Sequence, residues 1–196
     1  MAGYSLSMSG SSVRRPETLE TARMYLEIGD WKEVRRRVID ENVYQLNAIS
    51  SRKRVAGELV KRLSTLTDDE VNFLVSSYGD DQSAMLWVSV CRTYEFVSTL
   101  SVSIIKDRYN SGIPSFTEGA YEAFFEQEAE IHPELDKLTE EGRKKMRNQI
   151  LRMLVECDLV SEDGTITPIY PSPSFASAID PGHLDDLDLF PGVNLR

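Results

Sequence analysis

The feature that most constrains the fold is an apolar segment at residues 84–105, which is long enough to cross a bilayer as a helix. Two charged residues, Arg92 and Glu95, interrupt it, together with six serine and threonine residues. A central arginine alone costs about 2.5–3.5 kcal/mol on membrane-insertion scales, whereas each apolar residue contributes only a few tenths. The segment therefore predicts a buried helix at the centre of a soluble bundle, in which Arg92 and Glu95, three residues apart, are able to pair.

Helix-start signals flank this segment on its N-terminal side. Asp30 is a typical N-cap residue, and Thr67 with Glu70 forms the sequence pattern of a capping box. We therefore predict a mainly α protein. Residues 1–15 form an extended arm, and residues 16–110 form a multi-helix bundle.

The C-terminal third has a different pattern. After a helix that starts at Thr139, β-prone residues flank Asp163-Gly164, and an Asp-Gly pair in such a setting is a strong hairpin signal. Residues 115–167 are therefore predicted to hold helices plus a winged-helix-like β-hairpin. Residues 168–196 contain five prolines and several aspartates, which predicts a Pro/Asp-rich tail that is either packed on the body or flexible.

No motif of the sequence indicates catalysis. There is no nucleophile elbow, P-loop or dinucleotide-binding glycine pattern. His183 lies near Asp185 and Asp186, but one histidine with aspartates of a tail is a poor metal site, and His132 precedes a proline at a helix end. We predict a non-enzymatic protein with no metal, other cofactor or small-molecule substrate. The N-terminus lacks a secretory signal, which predicts a cytoplasmic protein without a membrane partner.

The charge of the chain is unevenly distributed. The formal net charge is −10, yet residues 1–62 hold 12 of the 22 basic residues and only 8 of the 32 acidic ones. A basic segment joined to an acidic one is typical of proteins with nucleic-acid or protein partners. The alternative is that charged side chains are simply scattered over solvated helix faces, and the sequence alone leaves both open.

The first candidate DNA-binding surface is the basic residues of the N-terminal half. Arginine and lysine in dense runs would bind the phosphate backbone with little sequence preference. The alternative is pairing along one helix, because Glu33 with Arg37 and Arg36 with Asp40 stand four residues apart. This N-terminal set comprises Arg14, Arg15, Lys32, Arg36, Arg37, Arg52, Lys53, Arg54 and Lys61.

The second candidate surface lies on the helix that starts after Thr139. At 100° per residue, one polar face carries Lys145, Asn148, Gln149 and Arg152. On such a face lysine and arginine suit phosphates, and asparagine, glutamine and arginine suit base edges. The alternative is an ordinary solvated face on a helix that serves only for packing. The predicted contacts on this helix are Arg143, Lys144, Lys145, Asn148, Gln149 and Arg152.

Short patterns along nearly the whole chain resemble one known family. They include the opening residues 4–10, a Pro16-Glu17 helix start, Asp30-Trp31, Leu86-Trp87 with Cys91-Arg92, and the closing Phe190-Pro191. In these positions the chain resembles the BrxA family, whose members are small proteins of BREX (bacteriophage exclusion) phage-defence systems.

The resemblance implies a small, largely helical protein, similar in part to the NusB antitermination bundle, that binds double-stranded DNA and has no known enzymatic activity. It also implies partners, namely a methyltransferase, an ATPase and an alkaline-phosphatase-like protein of the same system. The family offers no compact DNA-binding motif to transfer residue by residue. The leading hypothesis is thus a DNA-binding component, and the alternative is an adaptor that assembles the defence complex without touching DNA.

Overall fold

The computed structural model describes residue 4 and residues 12–192. Most of the predicted arm and the last four residues of the predicted tail lie outside the described residues. Within the described part, helices joined by short loops make up most of the chain, which confirms the predicted mainly α bundle. The α-helices of this part are α1 (Arg15–Ile28), α2 (Trp31–Asp40), α3 (Ile49–Leu63), α4 (Asp68–Ser76), α5 (Gly79–Thr93), α6 (Glu95–Leu100), α7 (Asp107–Asn110), α8 (Glu118–Ala129), α9 (Glu140–Glu156) and α10 (Pro173–Ala178).

The helix starts predicted at Asp30 and Thr67 are confirmed. The Asp30 carboxylate accepts hydrogen bonds from the backbone amides of Lys32 (2.8 Å) and Glu33 at the start of α2. Thr67 and Glu70 form the capping box before α4, because each side chain accepts a hydrogen bond from the backbone amide of the other residue. These bonds satisfy amides that have no partner inside the helix, and so they fix where each helix begins.

The apolar segment at residues 84–105 is largely buried, but it is not one helix. α5 ends at Thr93, Tyr94 is extended (φ −131°, ψ 95°), and α6 begins at Glu95. The hydroxyl of Tyr94 donates a hydrogen bond to the buried carboxylate of Glu58 on α3, at the point where the helical path breaks. No helix of the described residues is both long enough and apolar enough to cross a membrane.

The predicted pairing of Arg92 with Glu95 is wrong. The Arg92 guanidinium donates hydrogen bonds to both carboxylate oxygens of Glu70 (2.6 and 2.7 Å) and to the Asp186 carboxylate (2.7 Å). Because α5 ends between Arg92 and Glu95, the two side chains do not share a helix face. We refer to Glu70, Arg92 and Asp186 as the tail clamp, since they join α4 and α5 to the C-terminal tail.

The core is built around α5, which packs against α3, α4 and α6. Every side chain from residue 83 to residue 91 is buried. A smaller apolar cluster between α2 and α3 is centred on Val34, Val38 and Ala56. This second cluster holds the first three helices to one another, whereas α1 packs against α4 and α3 against α5.

The predicted winged-helix β-hairpin is not supported. A tight turn does form, and the Ser161 amide donates a hydrogen bond to the Thr165 carbonyl (2.8 Å). Within the described residues, β-type pairing is limited to two isolated antiparallel bridges: Val160 with Ile166, and Ser115 with Thr165. The Thr167 amide also donates to the Leu159 carbonyl (2.9 Å), but the ladder ends there, because the Leu159 amide donates to the Leu154 carbonyl of α9 (3.0 Å) and residue 168 is a proline without an amide hydrogen.

Residues 168–192 lie against the helical body. The aromatic rings of Phe175 and Phe190 are fully buried and pack edge to face, with centroids 5.5 Å apart. The Asp81 carboxylate on α5 accepts hydrogen bonds from the Ser172 amide (2.6 Å) and hydroxyl (2.8 Å). With the tail clamp, these contacts tie the tail to the body at several points.

Candidate nucleic-acid interface

The orientation of α9 is set by its apolar side. Met146, Ile150, Met153 and Leu154 recur at helical spacing and are buried in the main core. The hydroxyl of Thr139 caps the helix by accepting a hydrogen bond from the Gly142 amide (3.1 Å). With one side held in the core, the opposite side of α9 faces solvent.

One flank of α9 packs against α8. The Arg143 guanidinium forms an ion pair with Glu126 and lies over the Phe125 ring, 4.4 Å from its centroid. Arg147, which is also on α9, forms an ion pair with Glu118 of α8. Of the residues on α9 that were predicted to contact DNA, Arg143 therefore lies between α8 and α9 and not on the solvent-facing side.

The solvent side of α9 carries the remaining predicted residues together. They line a shallow depression of about 370 Å³ with Glu141 beside them. No described acidic side chain forms an ion pair with Lys145 or Arg152. We call this surface the α9 face, and it consists of Lys144, Lys145, Asn148, Gln149 and Arg152.

A larger cleft of about 770 Å³ adjoins the α9 face, between the start of α1, α3 and the C-terminal half of α9. Arg14 and Arg54, from the N-terminal set, line it together with Asn148 and Arg152 of α9. Because Asn148 and Arg152 also line the depression, the cleft and the α9 face form one continuous surface. Residues from both predicted sets thus meet at one place.

Three carboxylates also line the cleft, and they differ in their contacts. Glu17 pairs with Arg14 (2.9 Å). Glu156 accepts hydrogen bonds from the chain just before α1, including one from the Ser12 hydroxyl (2.6 Å). Glu162 is exposed in the turn after α9. Sequence reasoning missed the role of Glu156, since nothing in the sequence links the end of α9 to residues 12–14.

Other members of the N-terminal set have bonds within the fold. The Arg15 guanidinium donates to the Ser83 hydroxyl (2.8 Å), the Glu156 carbonyl (2.8 Å) and the Asp158 carboxylate (2.9 Å). Arg52 donates to the Leu46 carbonyl (2.7 Å). These side chains hold segments of the chain together, which limits how far they could reach toward a ligand.

On α2 the basic residues are largely paired. Arg36 contacts Glu33 (2.7 Å) and Asp40 (3.0 Å), and Arg37 contacts Glu33 (2.8 Å). Hydrogen bonds from Arg36 and Arg37 lower the pKa of Glu33 to about 2, so this carboxylate stays charged. The intrahelical pairing that the sequence left open is therefore present, while Lys32 at the start of α2 remains exposed.

The last members of the N-terminal set lie on α3. Lys53 and Arg54 are exposed near its N-terminal end, and of the two only Arg54 lines the cleft. Lys61, near the other end, lies over the Tyr94 ring with its ammonium 4.6 Å from the centroid. The structure thus brings Arg14 and Arg54 to the α9 face and leaves the other members elsewhere.

Comparison with known proteins places the chain in a family. The BrxA family model matches residues 2–181. A Bacillus cereus protein named BREX protein BrxA is 24% identical over 126 residues, which are 63% of this chain and 62% of that protein, so the match spans less than two thirds of the relative. A crystal structure of an uncharacterized protein from Magnetospirillum magneticum has the same fold, with a TM-score of 0.82, 18% identity, and coverage of 96% of this chain and 97% of that chain. The chain belongs to the BrxA family.

Proposed function

We propose that this chain is a non-enzymatic, double-stranded-DNA-binding component of a BREX phage-defence system, working in the cytoplasm. The defence system is taken from the name of the Bacillus cereus relative. The observation that supports DNA binding is that the α9 face and the cleft form one continuous surface, because Asn148 and Arg152 line both. Basic residues far apart in the sequence thereby contribute to a single surface.

The chemistry of this surface suits a duplex. Lysine and arginine side chains of the α9 face would bind phosphates of one backbone, and Arg14 and Arg54 in the cleft would bind a neighbouring phosphate. Asn148 and Gln149 carry both donors and acceptors, which suits the edges of bases in a groove. A helix anchored by four buried residues presents these groups on a rigid support, so little ordering is needed on binding.

The net charge of −10 does not prevent this contact. At an ionic strength of about 0.15 M, the interaction of exposed charges falls off over about 8 Å. Acidic residues on distant faces are then screened from the DNA, whereas contacts within the surface persist. The overall charge is expected to slow association more than it weakens the bound state.

By the family resemblance, the proposed protein partners are the methyltransferase, the ATPase and the alkaline-phosphatase-like protein of the same system. A purely adaptor role through the tail has less support. Of the four apolar side chains that such a segment would use, Leu187, Leu189 and Phe190 are buried against the chain's own body, and only Leu184 is substantially exposed (49%).

The proposal is tested by fluorescence anisotropy of a labelled duplex, titrated with the protein at several salt concentrations. A straight line of log K against log salt is expected, with a slope that gives the number of phosphate contacts. The double variant Lys145→Glu/Arg152→Glu should bind at least about tenfold more weakly and with a shallower slope.

The matched control is Arg23→Glu/Lys137→Glu, which makes the same change in net charge at exposed positions outside the surface. This control should bind DNA nearly as well as the parent. Equal losses in the two double variants would show that only net charge matters. No binding by the parent at low salt would exclude the proposal and favour the adaptor.

A further inference from the structure

We infer that Glu156 is a positioning residue of the DNA-binding surface, because its carboxylate fixes residues 12–14 against the end of α9 and so places Arg14 at the cleft. This inference rests on the proposed function. Glu156 would touch no DNA itself. Its effect on binding would be transmitted through Arg14.

The Glu156 carboxylate gathers three donors from the chain that leads into α1. One oxygen accepts a hydrogen bond from the Ser12 hydroxyl (2.6 Å). The other accepts from the backbone amides of Val13, in a short contact, and Arg14 (3.3 Å). The Arg62 guanidinium, itself buried, holds the same segment by donating to the Ser12 carbonyl (2.9 Å).

This segment needs an external support. Arg14 precedes α1 with φ 52° and ψ 58°, the left-handed region that residues with a side chain rarely adopt. No hydrogen bond from the Arg14 side chain caps α1. The Val13 amide donates to Glu156, and the Arg14 amide is shared between Glu156 (3.3 Å) and the Ser12 hydroxyl oxygen (3.2 Å). For Arg14, the N-cap residue, Glu156 thus takes the part that the N3 side chain plays in a capping box.

The electrostatics of the helix end and of the cleft do not favour a carboxylate at position 156. It is the last residue of α9, where the helix dipole disfavours a carboxylate. It also puts a negative charge in a cleft proposed to receive phosphates. Two electrostatic effects thus disfavour this carboxylate, and its three hydrogen bonds to residues 12–14 offset them.

Arg14 is then held on both sides. The next residue, Arg15, bonds to the Glu156 carbonyl and to Asp158, so residues 14 and 15 follow the end of α9 closely. The Arg14 guanidinium is oriented by Glu17 (2.9 Å) at the wall of the cleft that Arg152 also lines. Releasing the segment would let this guanidinium move away from Arg152.

The decisive comparison is between Glu156→Gln and Glu162→Gln. Both variants remove one negative charge from the same cleft, but only Glu156 bonds to the segment. If both residues act only through their charge, both variants bind DNA more tightly. If Glu156 positions Arg14, Glu156→Gln binds about two- to fivefold more weakly with the salt slope reduced by about 1, while Glu162→Gln binds slightly more tightly.

A double-mutant cycle tests whether Glu156 affects DNA binding through Arg14. In an Arg14→Ala background, the additional loss from Glu156→Gln should disappear, because both substitutions remove the same contact. A loss of equal size in both backgrounds would overturn positioning through Arg14. If Glu156→Gln does not fold, Ser12→Ala, which removes one of the three bonds, replaces it in the cycle.

Release of the segment has a readout that needs no DNA. Trypsin cleaves after Arg14, whereas Arg15 is followed by Pro16 and resists cleavage. Loss of hydrogen bonds to a charged acceptor should speed cleavage after Arg14 by about tenfold in Glu156→Gln, with no change in Glu162→Gln. Unchanged cleavage together with tighter DNA binding would overturn the inference but leave the proposed function standing, whereas a parent protein that binds no DNA would overturn both.

Discussion

The basic side chains of this chain fall into two groups with the same charge and different surroundings. The anchoring arginines, Arg15, Arg62 and Arg92, donate hydrogen bonds to carbonyls and carboxylates that join distant segments. The α9 face presents its lysines and arginine to solvent, and no described acidic group pairs with Lys145 or Arg152. The density of arginine in a sequence therefore says little about how much positive surface is available to a ligand.

The largest expected contrast between the two groups is in stability. Arg92→Met should lower the free energy of unfolding by about 3–5 kcal/mol, because it leaves the buried carboxylate of Glu70 and the partly buried carboxylate of Asp186 without this partner. Lys145→Met, on the α9 face, should change it by less than about 0.5 kcal/mol. Urea unfolding followed by circular dichroism measures both, and similar costs for the two variants would contradict the division into groups.

Arg15 provides a second test with a smaller effect. Arg15→Ala removes bonds to Ser83, the Glu156 carbonyl and Asp158, and its side chain is 28% exposed, so we expect a loss of about 1–2 kcal/mol. Arg152→Ala is the matched control and should be nearly neutral in urea unfolding. If Arg15→Ala were also neutral, Arg15 would remain available to bind DNA as first predicted.

Much of the fold could be predicted from local pattern. Capping residues such as Asp30 and Thr67 act on neighbouring amides, so their signal lies within a few residues of sequence. The break at Tyr94 and the partners of Arg92 could not be predicted, because they depend on Glu58, Glu70 and Asp186, which are brought close only by tertiary packing. The hairpin was expected from the local Asp163-Gly164 signal, but it stops at Leu159, whose amide stays bonded to the end of α9.

The candidate site shows the same limit. The residues of the α9 face could be grouped from helical periodicity, since one helix holds them all. The cleft could not be predicted, because Arg14 and Arg54 meet Arg152 only after α1, α3 and α9 pack together. The sequence also could not separate Arg15 from Arg14, although one bonds to the fold and the other lines the cleft.

DNA binding should distinguish the paired arginines of α2 from the α9 face. Arg36→Glu/Arg37→Glu is expected to weaken binding by less than about threefold, since their pairing with Glu33 and Asp40 lowers the gain from a phosphate contact. The α9 double variant described above should lose at least about tenfold. Anisotropy titrations at one salt concentration compare the two, and equal losses would extend the DNA-binding surface to α2.

The smallest expected effect concerns the two carboxylates of the tail clamp, whose pKa values shift in opposite directions. Burial alone would raise the pKa of Glu70, but hydrogen bonds from Arg92 and from the backbone amides of Asp180 and Thr67 hold it below its usual 4.5. Burial raises the pKa of Asp186 above its usual 3.8, and the hydrogen bond from Arg92 offsets this only in part. Relative to the unfolded chain, folding therefore favours the charged form of Glu70 and disfavours the charged form of Asp186.

The signs follow from proton linkage. Glu70 contributes stability that is present above pH 4.5 and is lost as the pH falls through its lowered folded pKa. Asp186 acts oppositely, because the folded state keeps its proton as the pH rises above 3.8. Urea unfolding between about pH 3 and pH 7 should show a flatter rise of stability with pH in Glu70→Gln and a steeper rise in Asp186→Asn. The same change of slope in both variants would contradict this, because it would mean that the hydrogen bonds from Arg92 outweigh burial at both carboxylates.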